Sequence, residues 1–364
     1  MGYLKGLNSL RFFAAFFVIV SHGQISLWKL GVATQPKAAF FNRGGDGVEF
    51  FFTLSGFLIT GLLIREIEKT GTVSLKKFYL RRVLRIWPLY FLAVFLGFVV
   101  LGFLYPLMYG RPYFEFRLLE GLAFFLFFLP NMVTSFYPTG LLYPLWSIGV
   151  EEQYYLFWAP LIKVFHGRLL LVLAIFLVIS YGLAIAVHLN VFNFSPGWVK
   201  FFLSLKFYAM AMGGLFAYVF LKAGEGIRRV LLYRGIVPLA VLFILLWHYG
   251  VGFSFSDNFW FHLLLPIGYG LLILATVIPE GIFNFEGQPW TYLGVISYGL
   301  YVYHMFVDYF LRTLFTKFGM EVLAKGFWGP LLYHTLLLGI TILVASLSYR
   351  YFESYFLKLK HRYA

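Results

Sequence analysis

The chain has 364 residues, of which 61% are hydrophobic, 22% aromatic and only 12% charged, with a mean hydropathy of +0.82 and a net charge of +14. Soluble domains carry about 25% charged residues, so the composition excludes an ordinary water-soluble globule, and the lack of cysteine excludes disulfides, zinc–thiolate centres and thiol nucleophiles. The basic residues sit in short loops between apolar runs, the pattern of membrane-topology anchors rather than of a nucleic-acid surface.

An apolar stretch of about 20 residues is long enough to cross a bilayer. By that criterion the sequence predicts an all-α polytopic membrane protein, a bundle of about ten transmembrane helices at residues 9–29, 47–65, 84–105, 144–164, 168–189, 202–222, 231–250, 260–279, 290–313 and 328–349. The run 118–133 is shorter and ends in Pro130-Asn131; it reads as a helix lying in or dipping into the outer interface, with a full span as the alternative. With Met1 in the cytoplasm, 18 of the 29 lysines and arginines face inward and ten outward, leaving Arg11 in the membrane. That bias predicts two cytoplasmic termini and a multi-pass protein of the inner (plasma) membrane. The first run is long and has no small-residue cleavage site, so no cleavable signal peptide is expected. One integral-membrane domain over 1–364, without repeats or an appended soluble domain, is the expected organisation.

The first span carries two ionisable residues, Arg11 and His22, eleven positions apart. At 3.6 residues per turn they fall on nearly the same helix face, roughly 16 Å apart along the axis. Ionisable groups inside a span are costly and therefore functional candidates. His22 can act as a general base or carry an acyl group as a nucleophile; the bland reading is a buried histidine bonded to a neighbouring carbonyl. His188, His248, His262 and His334 also lie in or near spans, so location alone does not choose among them.

Four further segments carry polar groups. In GGDGVEFFFTLSGFLIT (44–60), Asp46 and Glu49 stand at the outer mouth of the second span. They suit recognition of sugar hydroxyls, orientation of His22, or a plain outer surface, while Ser55-Gly56 suits close helix packing. In LKKFYLRRVLRIWPLY (75–90), Arg81, Arg82 and Arg85 share one side of a helix start. They suit phosphate binding or a positive-inside anchor, and Pro88 fixes the entry to the third span. In WSIGVEEQYY (146–155), Glu151 and Glu152 point about 100° apart, so one can face the bundle interior. The neighbouring aromatics suit an interfacial belt or sugar stacking. In ISYGLYVYH (296–304), Tyr298, Tyr301 and His304 share a helical stripe, read as a structural polar seam.

These segments, in order, resemble the acyltransferase-3 family of integral-membrane acyltransferases. The matching residues are Leu10-Arg11 with His22, GVEFFFTLSGFLI at 47–59, FYLRRVLRIWPLY at 78–90, WSIGVEEQYYLFW at 146–158 and SYGLYVYH at 297–304, which together cover essentially the whole chain. The resemblance implies transfer of an acyl group, commonly acetyl from acetyl-CoA, to hydroxyls of sugars or other small acceptors. It implies His22 as the catalytic histidine with Arg11 as its companion, Arg81 and Arg85 as a cytoplasmic arginine pair, and Glu151 as the motif glutamate beside Glu152. Glu49 stands where the family usually has aspartate, and an arginine is often found near Lys206. With no esterase-like domain expected after the last span, transfer falls to the membrane domain itself or to a separate partner.

On this reading an acyl-CoA docks from the cytoplasm, its phosphates on Arg81, Arg82 and Arg85, with Arg11 guiding the remaining charge or the pantetheine arm. A saccharide or glycolipid acceptor arrives from outside, and neither metal nor nucleic acid is involved. His22 deprotonates the acceptor or becomes acylated, and Glu151 orients His22 or positions the acceptor. Asp46, Glu49, Glu152, Tyr298 and His304 serve as acceptor-side or supporting residues. The rival reading is a polytopic transporter or flippase in which Arg11, His22 and Glu151 relay protons or bind a glycolipid.

Overall fold

The computed structural model describes residues 4, 6–32, 44–222, 241–242, 259–277 and 287–363. These residues form helices and no strands. Among them seven helical stretches are long and apolar enough to cross a membrane: Leu7–Lys29, Gly44–Thr70, Leu75–Tyr109, Gly140–His188, Pro196–Lys222, Phe259–Val277 and Gly329–Leu359. The fourth holds two helices, Leu145–Phe165 and Leu169–His188, joined by one tight turn at His166–Arg168. The expected span 231–250 lies outside the described residues apart from 241 and 242.

Helix α1 (Leu7–Lys29) is an uninterrupted apolar run that stops where Gly31 takes a left-handed φ of 76°. There Val32 N–H reaches back to the Leu27 carbonyl and Gly31 N–H to that of Trp28, a glycine-terminated cap that satisfies the last carbonyls. Helix α2 (Gly44–Thr70) follows, then α3 (Leu75–Val99), which Ser74 caps by accepting from Lys77 N–H. The capped start lies nine residues before the expected one, so the arginines of 81–85 sit within the helix proper. A π turn at Val100–Leu104 carries α3 on to Tyr109.

The run expected at 118–133 breaks into two short helices, α4 (Leu118–Leu126) and α5 (Pro130–Phe136), around Phe128 with φ 57°. Neither is long enough to span. Gln153 holds this break in place by donating to the Phe128 carbonyl and to Asn131 Oδ1, both at 2.8 Å. Gln153 belongs to α6 (Leu145–Phe165), which is followed by α7 (Leu169–His188), α8 (Pro196–Ser204), α9 (Phe207–Lys222) and α10 (Phe259–Val277). The expected span 290–313 is split at Ile296 into α11 (Trp290–Val295) and α12 (Ser297–Lys317), and α13 (Gly329–Ser348) completes the bundle.

Packing follows from small residues, because lipid removes the hydrophobic drive that joins helices in water. Helices α2 and α9 meet backbone to backbone: a Cβ at Gly56 would lie 1.8 Å from the Met210 carbonyl oxygen, and one at Gly213 1.9 Å from that of Thr53. Large apolar side chains such as Phe157, Val178 and Leu343 are exposed on the outside of the bundle, the surface expected to face lipid. Helix α12 is less apolar than the seven stretches, yet it is largely buried against α1, α3 and α13. His22 on α1 meets His304 on α12, and Ser26 meets Asp308, both pairs 282 residues apart. The constant offset means that α1 and α12 run parallel and in register.

Candidate active site

The second turn of α1, the first half of α2, the third turn of α3, the start of α6 and the start of α12 enclose a cavity. Its empty space is about 840 Å³, counting the part open to the surroundings. Three guanidinium groups line it, those of Arg11, Arg82 and Arg85, against one carboxylate, Glu151. Among the described residues none of the three arginines has a carboxylate within 4.0 Å. Among the same residues Arg11 makes only a long 3.4 Å contact, to Asn8 Oδ1, and the buried Nε of Arg82 has no hydrogen-bond partner. The Arg82 guanidinium lies 5.9 Å from the ring centroids of both Phe78 and Tyr155, close enough for a cation–π contact.

Glu151 does not neutralise this cluster directly. Its Oε2 accepts from the Tyr155 hydroxyl at 2.8 Å, and Tyr155 is in turn hydrogen-bonded to Ser55 Oγ. Ser55 and Tyr155 thus belong to the cavity wall, although sequence reasoning gave Ser55 a packing role and Tyr155 a belt or sugar-stacking role. The signal that pointed to Tyr155 is its i, i+4 spacing from Glu151. Such a cavity, rich in unpaired donors and poor in acceptors, is built for an anion.

At the far end the wall is Tyr301, whose hydroxyl lies 2.7 Å from Ser147 Oγ and donates to the Pro144 carbonyl at 3.2 Å. Tyr298, one turn earlier, donates to the Ile86 carbonyl at 2.9 Å and ties α12 to α3 beside Arg85. Behind Tyr301 stand the two histidines. His22 Nδ1 lies 2.9 Å from His304 Nε2, the rings stack with centroids 5.0 Å apart at 24°, and His304 Nδ1 lies 2.6 Å from the Tyr301 carbonyl oxygen. The Tyr143 ring stands edge-on to His22 at 6.2 Å. The side chain bonded to His22 is therefore His304, with Val18 one turn earlier as its backbone partner, while Glu151 is bonded to Tyr155.

One turn beyond, Asp308 is buried and accepts from Ser26 Oγ at 2.6 Å and from the Tyr333 hydroxyl at 3.0 Å. Sequence reasoning passed over Asp308, although an aspartate inside a span, four residues from His304, is itself a signal.

The remaining candidates sit elsewhere. Arg81 turns away from Arg82 and Arg85 to pair with Glu66 of α2 at 3.0 Å. Glu152 accepts from Trp87 Nε1 at 3.0 Å and is not among the cavity-lining residues. Asp46 and Glu49 are buried, 3% and 0% exposed, rather than on an outer surface. Glu49 pairs with Lys206 at 2.5 Å, and His262 Nδ1 lies 3.7 Å from both acids. Lys206 occupies the break between α8 and α9 with a left-handed φ of 42°. A non-glycine residue holds that conformation only when its surroundings fix it, and here the ion pair does so.

The comparisons agree with this architecture. A family model described as an acyltransferase domain matches residues 4–350. The chain is 28% identical to a peptidoglycan O-acetyltransferase, OatA, of Listeria monocytogenes, over 97% of this chain and 55% of that protein. It is 25% identical to the O-acetyltransferase OatA of Staphylococcus aureus, over 97% of this chain and 57% of that protein. The chain thus spans little more than half the length of these relatives. No solved structure matches it. The family match over residues 4–350, on a helical bundle that brings Arg11, Arg82, Arg85 and Glu151 to one cavity, means that the chain belongs to the acyltransferase-3 family of membrane acyltransferases.

Proposed function

We propose that this chain transfers an acyl group, acetyl in the first instance, from an acyl-CoA to a hydroxyl of a cell-envelope saccharide. Peptidoglycan is the first acceptor to test, from the name of the Listeria relative. The observation that carries the reading is the arginine-lined cavity ending one residue from the histidine pair. Coenzyme A brings several phosphate charges, and unpaired guanidinium groups at Arg11, Arg82 and Arg85 provide bidentate partners for them. The thioester then travels along the cavity toward Tyr301, and His22 acts on it there. Glu151, held by Tyr155, offsets part of the positive charge of the cavity from a distance.

In the membrane this arrangement corresponds to about ten spans in one integral domain of the plasma membrane, with both termini cytoplasmic. The arginine end of α1 then faces the donor, and the His22 end faces the acceptor. His22 either removes the proton of the acceptor hydroxyl or attacks the thioester and passes the acyl group on.

Purified protein in nanodiscs, given acetyl-CoA and a soluble glycan fragment, should release free thiol over many turnovers only when the acceptor is present. His22→Ala should lower that rate by at least about 10²-fold. Transport of an intact glycolipid without acetyl-CoA, with no thiol release, would support the transporter instead. Labelled acetyl-CoA without acceptor separates the two routes: label retained on wild type but not on His22→Ala indicates an acyl-histidine.

A further inference from the structure

We propose that His304 is a positioning residue that fixes the tautomer of His22 and thereby leaves the Nε2 lone pair of His22 free for chemistry. This rests on the reading of His22 as the reacting base or nucleophile. The proton positions follow from the acceptors. A carbonyl oxygen only accepts, so the 2.6 Å contact between His304 Nδ1 and the Tyr301 carbonyl puts a proton on Nδ1. A neutral imidazole carries one proton, which leaves His304 Nε2 with a lone pair. The 2.9 Å contact between His304 Nε2 and His22 Nδ1 is then a hydrogen bond only if His22 supplies the proton from Nδ1. The remaining nitrogen of His22, Nε2, is the unprotonated one.

A doubly protonated His304 would place a cation at a fully buried site. The nearby carboxylate, Asp308, has its two oxygens bonded to Ser26 and Tyr333. The neutral chain of donors is therefore the consistent one.

The backbone makes the arrangement rigid. The acceptor for His304 is a carbonyl three residues earlier on its own helix, so the ring is oriented by α12 itself. The Ser26–Asp308 bond holds α1 and α12 in register one turn away, and Tyr333 of α13 braces Asp308 from the other side. A neutral imidazole here has the role that a buried carboxylate has in hydrolase triads, which is to hold the catalytic histidine in one tautomer. It does so without placing an anion beside an incoming anionic donor.

In direct transfer the acceptor O–H proton moves to His22 Nε2 as the hydroxyl oxygen bonds to the acyl carbon. The C–S bond then breaks, and the departing thiolate takes the proton back from Nε2, giving an ester and a thiol. In the acyl-histidine route the same lone pair attacks the thioester carbon and the C–S bond breaks to release the thiolate. The acceptor oxygen then bonds to the acyl carbon as the C–N bond breaks, and its proton ends on the thiolate, giving the same ester and thiol. Both need Nε2 free, so the assignment does not depend on the route.

The test uses protein labelled with ¹⁵N-histidine in nanodiscs, with His22 assigned by its loss in His22→Ala. Wild type should show His22 protonated at Nδ1 and bare at Nε2. His304→Phe keeps the ring but removes the acceptor; it should mix the two tautomers and lower kcat for acyl transfer by about 10²- to 10⁴-fold, with donor KM little changed. His304→Gln restores an acceptor oxygen and should recover kcat to within about tenfold of wild type. A wild-type His22 protonated at Nε2, or a tautomer unmoved in His304→Phe, overturns the proposal; the wild-type spectrum decides even if that variant does not fold. If the tautomer behaves as expected but wild type transfers no acyl group, the functional reading fails and the positioning role stands.

Discussion

On one side of α2, Glu49 is fully buried against Lys206, with Asp46 and His262 beside it. On another, Ser55 looks into a cavity where Arg11, Arg82 and Arg85 have, among the described residues, no carboxylate within ion-pair distance. Both sites hold charge inside a membrane bundle, where it is expensive. The first meets that cost internally by pairing acids with cations. The second leaves the cost to be met by something that enters. A paired cluster needs no ligand and can be explained as architecture, fixing the break at Lys206 and the start of α9. An unpaired one makes sense when an anion is its normal occupant.

The contrast can be broken most severely at the paired site. Lys206→Met takes the lysine from buried Glu49 and leaves it, among the described residues, with only His262 as a basic partner, at 3.7 Å and next to a second acid, Asp46. This should cost about 3–5 kcal/mol, seen as a large fall in Tm and yield. Lys206→Met combined with Glu49→Gln should recover most of that loss, since removing both members of a buried pair is far milder. A double variant that folds well but is inactive would give the pair a chemical role and dissolve the contrast. A smaller effect separates the neighbouring arginines. Arg81→Gln breaks its bond to Glu66 and should cost no more than about 1 kcal/mol. Arg82→Gln and Arg85→Gln should leave Tm unchanged or raised, because each removes a partly buried cation that has no ion-pair partner among the described residues.

The helices were legible in the sequence because lipid imposes long apolar runs. Gly56 was read for close packing, and it stands against the Met210 carbonyl. What the sequence left out was the partner of each charge. A span was expected at 290–313 although it carries Asp308 and Arg312, and in the fold Ser26 and Tyr333 satisfy that aspartate and let α12 sit inside. The arginines of 81–85 share a helical side by spacing, and only the fold reveals that Glu66 draws Arg81 away from the other two. Asp46 and Glu49 looked like acids at an outer mouth, and their burial depends on Lys206, 157 residues beyond Glu49. The His22–His304 contact spans 282 residues. Helical periodicity describes one element at a time, so pairings across such distances do not appear in it.

The most direct measurement is equilibrium binding of coenzyme A to the protein in nanodiscs, with wild type compared with Arg82→Gln, Arg85→Gln and Arg81→Gln. If the unpaired arginines hold the donor, Arg82→Gln and Arg85→Gln should each weaken binding by about tenfold or more, the value of one charge-assisted hydrogen bond. Arg81→Gln should bind as wild type does. Equal affinity in all four proteins, or a loss confined to Arg81→Gln, would contradict the cavity as the donor site.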